Sequence, residues 1–278
     1  MAGAASRPLV RDELKTLGFR PAKSRGQNFL KDNGVIRRLT GAILAEAGSE
    51  KLLEIGPGLG ALTRPLLEAG AEILAVELDR GLAENLQSEA RPNLKVMNRD
   101  ILTLLPAEFS GPRFLFGNLP YNISSPVLFW FLRHRRTFSG ALFMLQKELA
   151  DRLTASPGQR AYSRLSVALG LWCEVKNVLA VPAAAFHPRP RVASAVVSLR
   201  PVPPEAEPPV SPETLGRFTL AAFGARRQNL LNNLARAYGR ERAALVLADF
   251  GLAPGLRAET LAPSVLAALA LALEPQTF

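Results

Sequence analysis

The sequence predicts a doubly wound α/β domain followed by a small all-helical domain. Short apolar runs without polar alternation recur through the first part of the chain, as in a parallel sheet covered on both faces. Helical patterns separate these runs, and a glycine-rich turn follows the first strong run. Beyond a proline-rich segment, only helical patterns remain. We therefore assign residues 1–200 to the α/β domain with its N-terminal extension, 201–212 to a linker and 213–278 to the helical domain.

The predicted elements alternate as such a domain requires. Residues 7–26 are basic and polar with roughly helical apolar spacing, 23–32 are predicted to form a loop, and 35–47 have the pattern of an amphipathic helix. Strands are predicted at 51–55, 73–79, 94–98, 114–116, 140–145, 172–181 and 193–199, with helices at 63–69, 81–90, 147–154 and 163–170.

The net charge of +10 is unevenly distributed along the chain. Residues 1–50 hold nine Lys and Arg against five Asp and Glu, 51–110 hold six against nine, 111–200 hold twelve against three, and 201–278 hold seven against seven. A basic surplus around an acidic middle suits a protein that binds a polyanion and takes one neutral group of it into a pocket. For the charge alone, an effect on solubility is an equally good explanation.

Other features of the composition exclude several classes. No apolar run approaches the roughly 20 residues of a membrane span, and the N-terminus lacks the apolar core of a secretory signal. A single cysteine, Cys173, cannot form an intrachain disulfide, and neither histidine has a second metal ligand at suitable spacing. We therefore expect a cytoplasmic protein without a metal.

The turn after the first strong strand is predicted to bind a nucleoside-containing cofactor. It carries three glycines two residues apart, which let a ligand approach the backbone at a helix N-terminus: Gly56, Gly58 and Gly60. Glu77 ends the next strand, where an acid binds ribose hydroxyls in such folds, and Asp100 ends the third strand, within reach of an adenine amino group. The glycine spacing alone suits a dinucleotide and S-adenosylmethionine equally well. Pro57 removes an amide donor, which weakens a pyrophosphate site.

The segment at 117–122 ends the fourth strand and combines an amide, a proline and an aromatic ring, which is unusual for a simple turn. The Asn118 side-chain oxygen and the Leu119 carbonyl could accept both hydrogens of an exocyclic amine, while Pro120 restricts Leu119 to an extended conformation. Tyr121 could stack on one face of a base. Phe186 is a candidate for the other face, although packing within its own loop would explain it too.

Five segments together resemble a known family. Residues 54–60, 77–79 and 117–122 resemble class I methyltransferase motifs, and adding 26–30 and 186–194 narrows the match. The set is similar to that of the small-subunit ribosomal RNA adenine N6,N6-dimethyltransferases, whose relatives include the rRNA methylases of macrolide resistance. The resemblance implies a Rossmann-like class I methyltransferase fold with a mostly parallel seven-stranded sheet and a small C-terminal all-helical domain.

The resemblance also implies a function and a site. It implies transfer of two methyl groups from S-adenosylmethionine to N6 of each of two adjacent adenosines near the 3′ end of 16S rRNA in the 30S subunit, by a monomer. The catalytic residues would be Asn118, Leu119, Pro120, Tyr121 and Phe186. The cofactor would contact Gln27, Asn28, Leu30, Gly56, Gly58, Gly60, Glu77, Leu78, Asp100, Ile101 and Asn118. The basic side chains expected to face RNA are Lys23, Arg25, Arg133, Arg135, Arg136, Arg160, Arg164, Arg189, Arg191, Arg226 and Arg227.

Three other interpretations stay open. The chain could be a large-subunit rRNA adenine methylase of the resistance type, which would act on a different RNA with the same chemistry. It could be a non-catalytic ribosome-assembly factor that binds RNA with a vestigial methyltransferase fold. A dinucleotide oxidoreductase is the most distant alternative.

Overall fold

The computed structural model describes residues 10–19, 27–108, 111 and 113–274. Its helices and strands are, in chain order, α1 (Val10–Thr16), β1 (Phe29–Leu30), α2 (Asn33–Ala47), β2 (Leu52–Ile55), α3 (Thr63–Glu68), β3 (Ile73–Glu77), α4 (Arg80–Gln87), β4 (Leu94–Asn98), β5 (Phe114–Asn118), α5 (Ser124–His134), β6 (Gly140–Gln146), α6 (Lys147–Leu153), α7 (Arg164–Trp172), β7 (Cys173–Val181), β8 (Phe186–His187), β9 (Ser194–Pro201), α8 (Pro212–Ala222), α9 (Leu230–Tyr238), α10 (Arg240–Asp249) and α11 (Pro263–Leu273).

Seven strands form one sheet in the order β4-β3-β2-β5-β6-β9-β7. Strands β4, β3, β2, β5 and β6 run parallel, and β9 pairs antiparallel with β6. The order reverses at β2, where β3 and β5 flank it on opposite sides, so the carboxyl ends of these strands open a crevice there. Every residue of β2 and β3 is buried, as the unbroken apolar runs predict.

Helix ends coincide with capping residues that the sequence displays. Asp32 accepts a hydrogen bond from the Val35 amide at the start of α2, and Asp79 does the same for Gly81 at the start of α4. Gly48 ends α2 with a φ of 59°, a left-handed conformation that favours glycine.

Two local elements differ from the sequence-based prediction. The loop predicted at 23–32 contains β1 within its described part, and β1 pairs with β8 in a separate two-stranded ribbon. Two-residue strands have no periodicity to detect, because their pairing is set by tertiary structure. Helix α5 was not predicted, since its residues 127–132 are apolar on nearly every face and lack the polar stripe of an amphipathic helix.

The chain divides into two compact units, one of Met1–Lys147 and Asn177–Leu199, the other of Glu148–Lys176 and Arg200–Phe278. The second unit includes α6 and α7, which we had assigned to the first domain. Their apolar stripes were visible, but the sequence does not say which core a stripe joins, and α7 packs against α8 and α11.

The proline-rich segment predicted as a linker is packed within the second unit. Val210 is buried, and the Val202 amide donates to the carbonyl of Trp172. Among the described residues, no helix combines the length and apolar character that crossing a bilayer would require.

Candidate active site

A cleft of about 760 Å³, its open mouth included, lies at the carboxyl ends of β2, β3 and β5 in the first unit. Its lining joins the segment around β1, the glycine-rich turn and the strand-end motif of β5: Gln27, Asn28, Phe29, Leu30, Glu54, Gly56, Pro57, Gly58, Leu59, Ala61, Leu62, Glu77, Leu82, Asn118, Leu119, Pro120 and Tyr121. The fold thus brings together three sequence segments that were predicted to form one site.

The glycine turn is held by the protein's own acceptors. The Gly56 amide donates to the Val76 carbonyl at 2.9 Å, the Gly58 amide to Glu77 Oε2 at 3.0 Å, and the Gly60 amide to the Pro57 carbonyl at 2.9 Å. Gly58 also has a φ of 57°, and a Cβ there would lie 3.2 Å from Cε1 of Phe29. A pyrophosphate would therefore find these three glycine amides already engaged.

Glu77 is the carboxylate that fixes this turn. Besides Gly58, it accepts a hydrogen bond from the Asp79 amide at 2.9 Å, so each carboxylate oxygen has one backbone donor. Burial raises the pKa of Glu77 above its ordinary value, while these backbone hydrogen bonds act in the opposite direction. Glu77 lines the cleft as predicted, and its remaining lone pairs could accept ribose hydroxyls.

A second carboxyl group, Glu54, lines the same cleft and was not among the predicted site residues. It lies in β2, is 2% exposed, and accepts a hydrogen bond from the Thr63 hydroxyl at 2.6 Å. Burial, reinforced by the nearby Glu77 and partly opposed by the Thr63 hydrogen bond, raises the pKa of Glu54 to about 8. An acid within an otherwise apolar strand, directly before a glycine turn, is a signal that the sequence contained.

Asn118 ends β5 with its amide in a defined orientation. Its Nδ2 donates to the backbone carbonyl of Asn28 at 2.9 Å. Because a carbonyl can only accept, the nitrogen must be the atom facing Asn28, and Oδ1 is the amide's acceptor on the other side. Asn118 is thus positioned by the segment preceding β1, which the cofactor was also predicted to contact.

The residues after Asn118 hold the backbone in a tight turn. The Leu119 amide donates to the Met144 carbonyl at 3.1 Å, and the Pro120 carbonyl accepts from the Ile123 amide and the Ser124 hydroxyl. Within the described residues, no donor contacts the Leu119 carbonyl. The turn therefore occupies the Pro120 carbonyl and leaves that of Leu119 as the available acceptor.

Gly117 permits the close approach on which this arrangement depends, since a Cβ there would lie 2.5 Å from the Ile55 carbonyl oxygen. Tyr121 lines the cleft, and its buried hydroxyl has no hydrogen-bond partner among the described residues. A buried, unpaired hydroxyl beside a cleft suits a ligand with a polar group, because leaving it unpaired costs free energy.

Several predicted site residues lie outside the cleft lining. Phe186 is 2% exposed and packs in the core cluster that includes Leu30 and Val35, so the structure supports the packing alternative rather than contact with a base. Asp100 lies at the end of β4, where its Oδ1 accepts from the Leu102 amide. Its neighbour Ile101 is buried. The remaining two are Leu78, which is 56% exposed at the end of β3, and Gly60.

Most of the basic side chains predicted to face RNA are accessible. Those exposed to solvent are Arg133, Arg136, Arg160, Arg189, Arg191, Arg226 and Arg227. The prediction for Arg135 is wrong, because this residue is buried and its Nη1 donates to the Leu132 carbonyl at the end of α5. Arg164 is half-buried, and burial lowers its pKa. Lys23 and Arg25 lie outside the described residues.

The cleft fits a nucleoside carrying positive charge better than a phosphorylated one. Its polar lining includes two buried carboxyl groups, Glu54 and Glu77, and the three glycine amides are engaged. A sulfonium cofactor such as S-adenosylmethionine meets the Glu77 carboxylate there, whereas a dinucleotide would bring phosphates toward that carboxylate. Among the residues described, no group of three or more His, Cys, Asp and Glu side chains could hold a metal ion.

Comparison with known sequences gives consistent matches over nearly the whole chain. The sequence model of a protein family described as ribosomal RNA adenine dimethylase matches residues 18–271. A ribosomal RNA small subunit methyltransferase A from Idiomarina loihiensis is 41% identical over 249 residues, which cover 88% of this chain and 85% of that protein. The protein of the same name from Escherichia coli O81 is 40% identical over 250 residues, covering 88% and 90%.

Solved structures agree with these matches. The crystal structure of a dimethyladenosine transferase from Plasmodium falciparum has a TM-score of 0.72 and 26% identity, covering 88% of this chain and 95% of that one. The crystal structure of the 23S rRNA methyltransferase ErmE has a TM-score of 0.65 and 30% identity, covering 88% and 99%.

Proposed function

The chain belongs to the ribosomal RNA adenine dimethylase family, and we propose that it methylates N6 of two adjacent adenosines near the 3′ end of 16S rRNA. The methyl donor is S-adenosyl-L-methionine, and the product is N6,N6-dimethyladenosine. The substrate is the 30S particle, so the enzyme contributes to ribosome biogenesis and acts in the cytoplasm as a monomer. The observation that carries this proposal is the oriented Asn118 amide beside a cleft lined by two carboxyl groups.

The cofactor contributes the reactive methyl group, and the protein holds the cofactor in place. When bound, S-adenosylmethionine supplies an electrophilic methyl group on a positively charged sulfur. Glu77 would hold the ribose hydroxyls, and the backbone around Asn28 and Leu30 would close over the nucleoside, as both segments line the cleft. The Glu77 carboxylate would give the sulfonium a favourable electrostatic environment, and the protonated Glu54 would add no opposing charge.

Asn118 and Leu119 would act on the nucleophile. The lone pair of the adenine N6 amine is delocalised into the ring, which makes the amine a poor nucleophile. Asn118 Oδ1 and the Leu119 carbonyl are available acceptors for its two hydrogens, and holding both favours a pyramidal nitrogen whose lone pair points at the methyl carbon. N6 would take the methyl carbon as the bond from that carbon to sulfur breaks, and the proton on N6 would then leave to water. No strong general base is required before attack.

Tyr121 would stack on the adenine ring, a contact worth roughly 1–3 kcal/mol per base. The target adenine must leave its stack to reach the cleft. Exposed arginines would contact phosphates of the RNA: Arg133, Arg136, Arg160, Arg189, Arg191, Arg226 and Arg227. The half-buried Arg164 is a weaker candidate.

The alternative substrate is the large-subunit RNA. ErmE, a 23S rRNA methyltransferase, is 30% identical to this chain, whereas the small-subunit methyltransferases are 40–42% identical. The higher identity favours the small subunit. Methylation of immature 30S particles and 50S particles with labelled cofactor, followed by mapping of the modified nucleotides, decides between the two.

The chemical proposal is tested by Asn118→Ala beside Asn122→Ala. Asn122 lies in the same turn but is exposed and does not line the cleft. We expect Asn118→Ala to reduce methylation by at least about a hundredfold, as loss of a positioned transition-state contact does, and Asn122→Ala to stay near the parent rate. Full activity of Asn118→Ala on 30S particles would exclude this role for the amide.

A further inference from the structure

Arg64, which follows the glycine turn in α3, joins two other elements through ion pairs. Its Nη2 lies 3.0 Å from Glu13 Oε1 in α1, and its Nε lies 2.8 Å from Glu89 Oε1, just beyond α4. A Cβ on Gly60 would be 3.6 Å from Arg64 Cγ, so the stem of the arginine also packs along the glycine turn. One side chain therefore links α1, the turn and the end of α4.

Helix α1 forms the outer layer of one wall of the cleft. Val10 and Leu14 are buried in a cluster with Phe29, Leu59 and Leu82. The last three residues also line the cleft. Each of them is thus held between α1 on one side and the ligand volume on the other, so the position of α1 bears directly on the shape of the cleft.

Phe29, which packs against α1, is also next to the segment that orients Asn118, the residue proposed to hold the adenine amine. Phe29 is adjacent to Asn28, whose carbonyl orients the Asn118 amide, and the Phe29 ring lies against Gly58. If α1 leaves its place, Phe29 loses its outer support. The backbone around residues 27–30 then becomes free to shift, and the contact to Asn118 shifts with it.

The side chains in the ion pairs of Arg64 are less exposed to solvent than those of an ordinary surface ion pair. The side chains of Arg64, Glu13 and Glu89 are 23%, 13% and 19% exposed, against 82% and 59% for the Arg80–Glu84 pair on α4. The second carboxylate oxygen of Glu13 is buried and has no hydrogen-bond partner within the part of the chain that the structure describes. Without Arg64, Glu13 would be a sheltered carboxylate lacking its cation, and it could recover hydration only by moving away with α1.

We propose that Arg64 is a positioning residue of the cofactor cleft, holding α1 against the outer side of Phe29, Leu59 and Leu82 and thereby fixing the Asn28–Asn118 contact. The link between Arg64 and α1 stands by itself. Its effect on methylation rests on the function proposed above.

The test compares Arg64→Met with Arg80→Met, the same substitution in an exposed ion pair of the same unit. Hydrogen exchange of the full-length proteins without ligand measures the protection of residues 10–16 and 27–30. Calorimetric titration with S-adenosylmethionine measures the cofactor Kd. Steady-state kinetics on 30S particles gives the KM for the cofactor and kcat separately. Glu13→Gln, which retains the Arg64–Glu89 pair, provides a milder variant in case Arg64→Met folds poorly.

For Arg64→Met, we expect faster exchange confined to residues 10–16 and 27–30. We expect a cofactor Kd and KM raised about tenfold or more, and a kcat lowered by a smaller factor. Arg64→Lys should recover only part of the loss, since a single ammonium cannot reproduce the two-sided fork of a guanidinium. Arg80→Met should match the parent in every measurement, and Glu13→Gln should lie between the parent and Arg64→Met.

Unchanged protection of residues 10–16 in both Arg64→Met and Glu13→Gln would overturn the proposal. So would local release of α1 with an unchanged cofactor Kd. If the parent protein itself failed to bind S-adenosylmethionine, the proposed function would fall, while the exchange data would still decide whether Arg64 holds α1.

Discussion

Glu54 gives a pH-dependence of stability that can be calculated from the structure. Its pKa in the folded protein is about 8, against an ordinary value of 4.5, because it is buried. Between these two values the folded state retains a proton that the unfolded state has released. A group with a raised carboxyl pKa therefore favours folding most at low pH, and the unfolding free energy falls as the pH rises through this window.

The magnitude follows from the size of the window. One proton of difference corresponds to about 1.4 kcal/mol per pH unit, so from pH 5.5 to 7.5 this one group should remove roughly 2–3 kcal/mol of unfolding free energy. Glu54→Gln keeps the shape and an oxygen acceptor for the Thr63 hydroxyl, but it does not titrate. From pH 5.5 to 7.5, the unfolding free energy of the variant should rise by about 2–3 kcal/mol relative to that of the parent protein, because only the parent loses the contribution of Glu54.

The assay is urea denaturation at a series of pH values for both proteins. A Trp172→Phe background leaves Trp130 as the fluorescent reporter of the first unit. Glu84→Gln, the same substitution at a carboxylate on the exposed surface of α4, is the control. A difference between Glu54→Gln and the parent that stays flat from pH 5.5 to 7.5 would refute the reasoning.

Three further predictions concern the cleft and its surroundings. Gly117→Ala should cost about 1–3 kcal/mol of unfolding free energy, because the added Cβ would lie 2.5 Å from the Ile55 carbonyl oxygen. The control is Gly216→Ala in the interior of α8, where a Cβ would meet no atom of the described residues, and it should be neutral or stabilising by up to about 1 kcal/mol. Denaturation measures the unfolding free energy of both variants. Phe186→Leu should lower the melting temperature and leave the KM for 30S particles nearly unchanged, since Phe186 is core. A selective rise of that KM without loss of stability would restore its stacking role. Replacing both Arg133 and Arg136 by Gln should reduce the salt dependence of RNA binding by a slope of about 1–2, measured by filter binding from low to moderate salt.

The sheet and the cleft could be predicted from the sequence because their signals are local. Buried parallel strands are unbroken apolar runs, and the glycine turn and the motif after β5 each lie within a few residues of a strand end. The Rossmann-like fold with a seven-stranded, mostly parallel sheet is confirmed by the structure and its neighbours. The orientation of the Asn118 amide still required the structure, since the residue that orients it, Asn28, is 90 residues away along the chain.

The burial of individual side chains could not be predicted where it depends on which face of a helix or strand packs against the core. Phe186 and Arg135 both lie in segments whose composition suggests exposure, a proline-rich loop and a run of basic residues, and both are buried by tertiary packing. For Phe186 the cause is pairing of β8 with β1, which directs the ring into the core beside Leu30. For Arg135 the cause is the end of α5, where the Leu132 carbonyl accepts from both the backbone amide and the guanidinium of Arg135.

The acidic cleft in a basic protein suggests how the enzyme discriminates within its own substrate. Residues 51–110, which form the glycine turn and supply Glu77, carry a formal net charge of −3, whereas residues 111–200 carry +9. Phosphate groups are attracted to the second segment and repelled by the carboxylates of the first. The free energy of the complex is therefore lower when the phosphates contact the arginines and only the uncharged base enters the cleft. Reversing the sign at Glu77 with lysine should consequently weaken cofactor binding and increase affinity for inorganic pyrophosphate, while Glu84→Lys, on the exposed face of α4, should change neither. Calorimetric titration of both variants with each ligand measures this directly, and a Glu77→Lys cleft that still excludes pyrophosphate would contradict the electrostatic account.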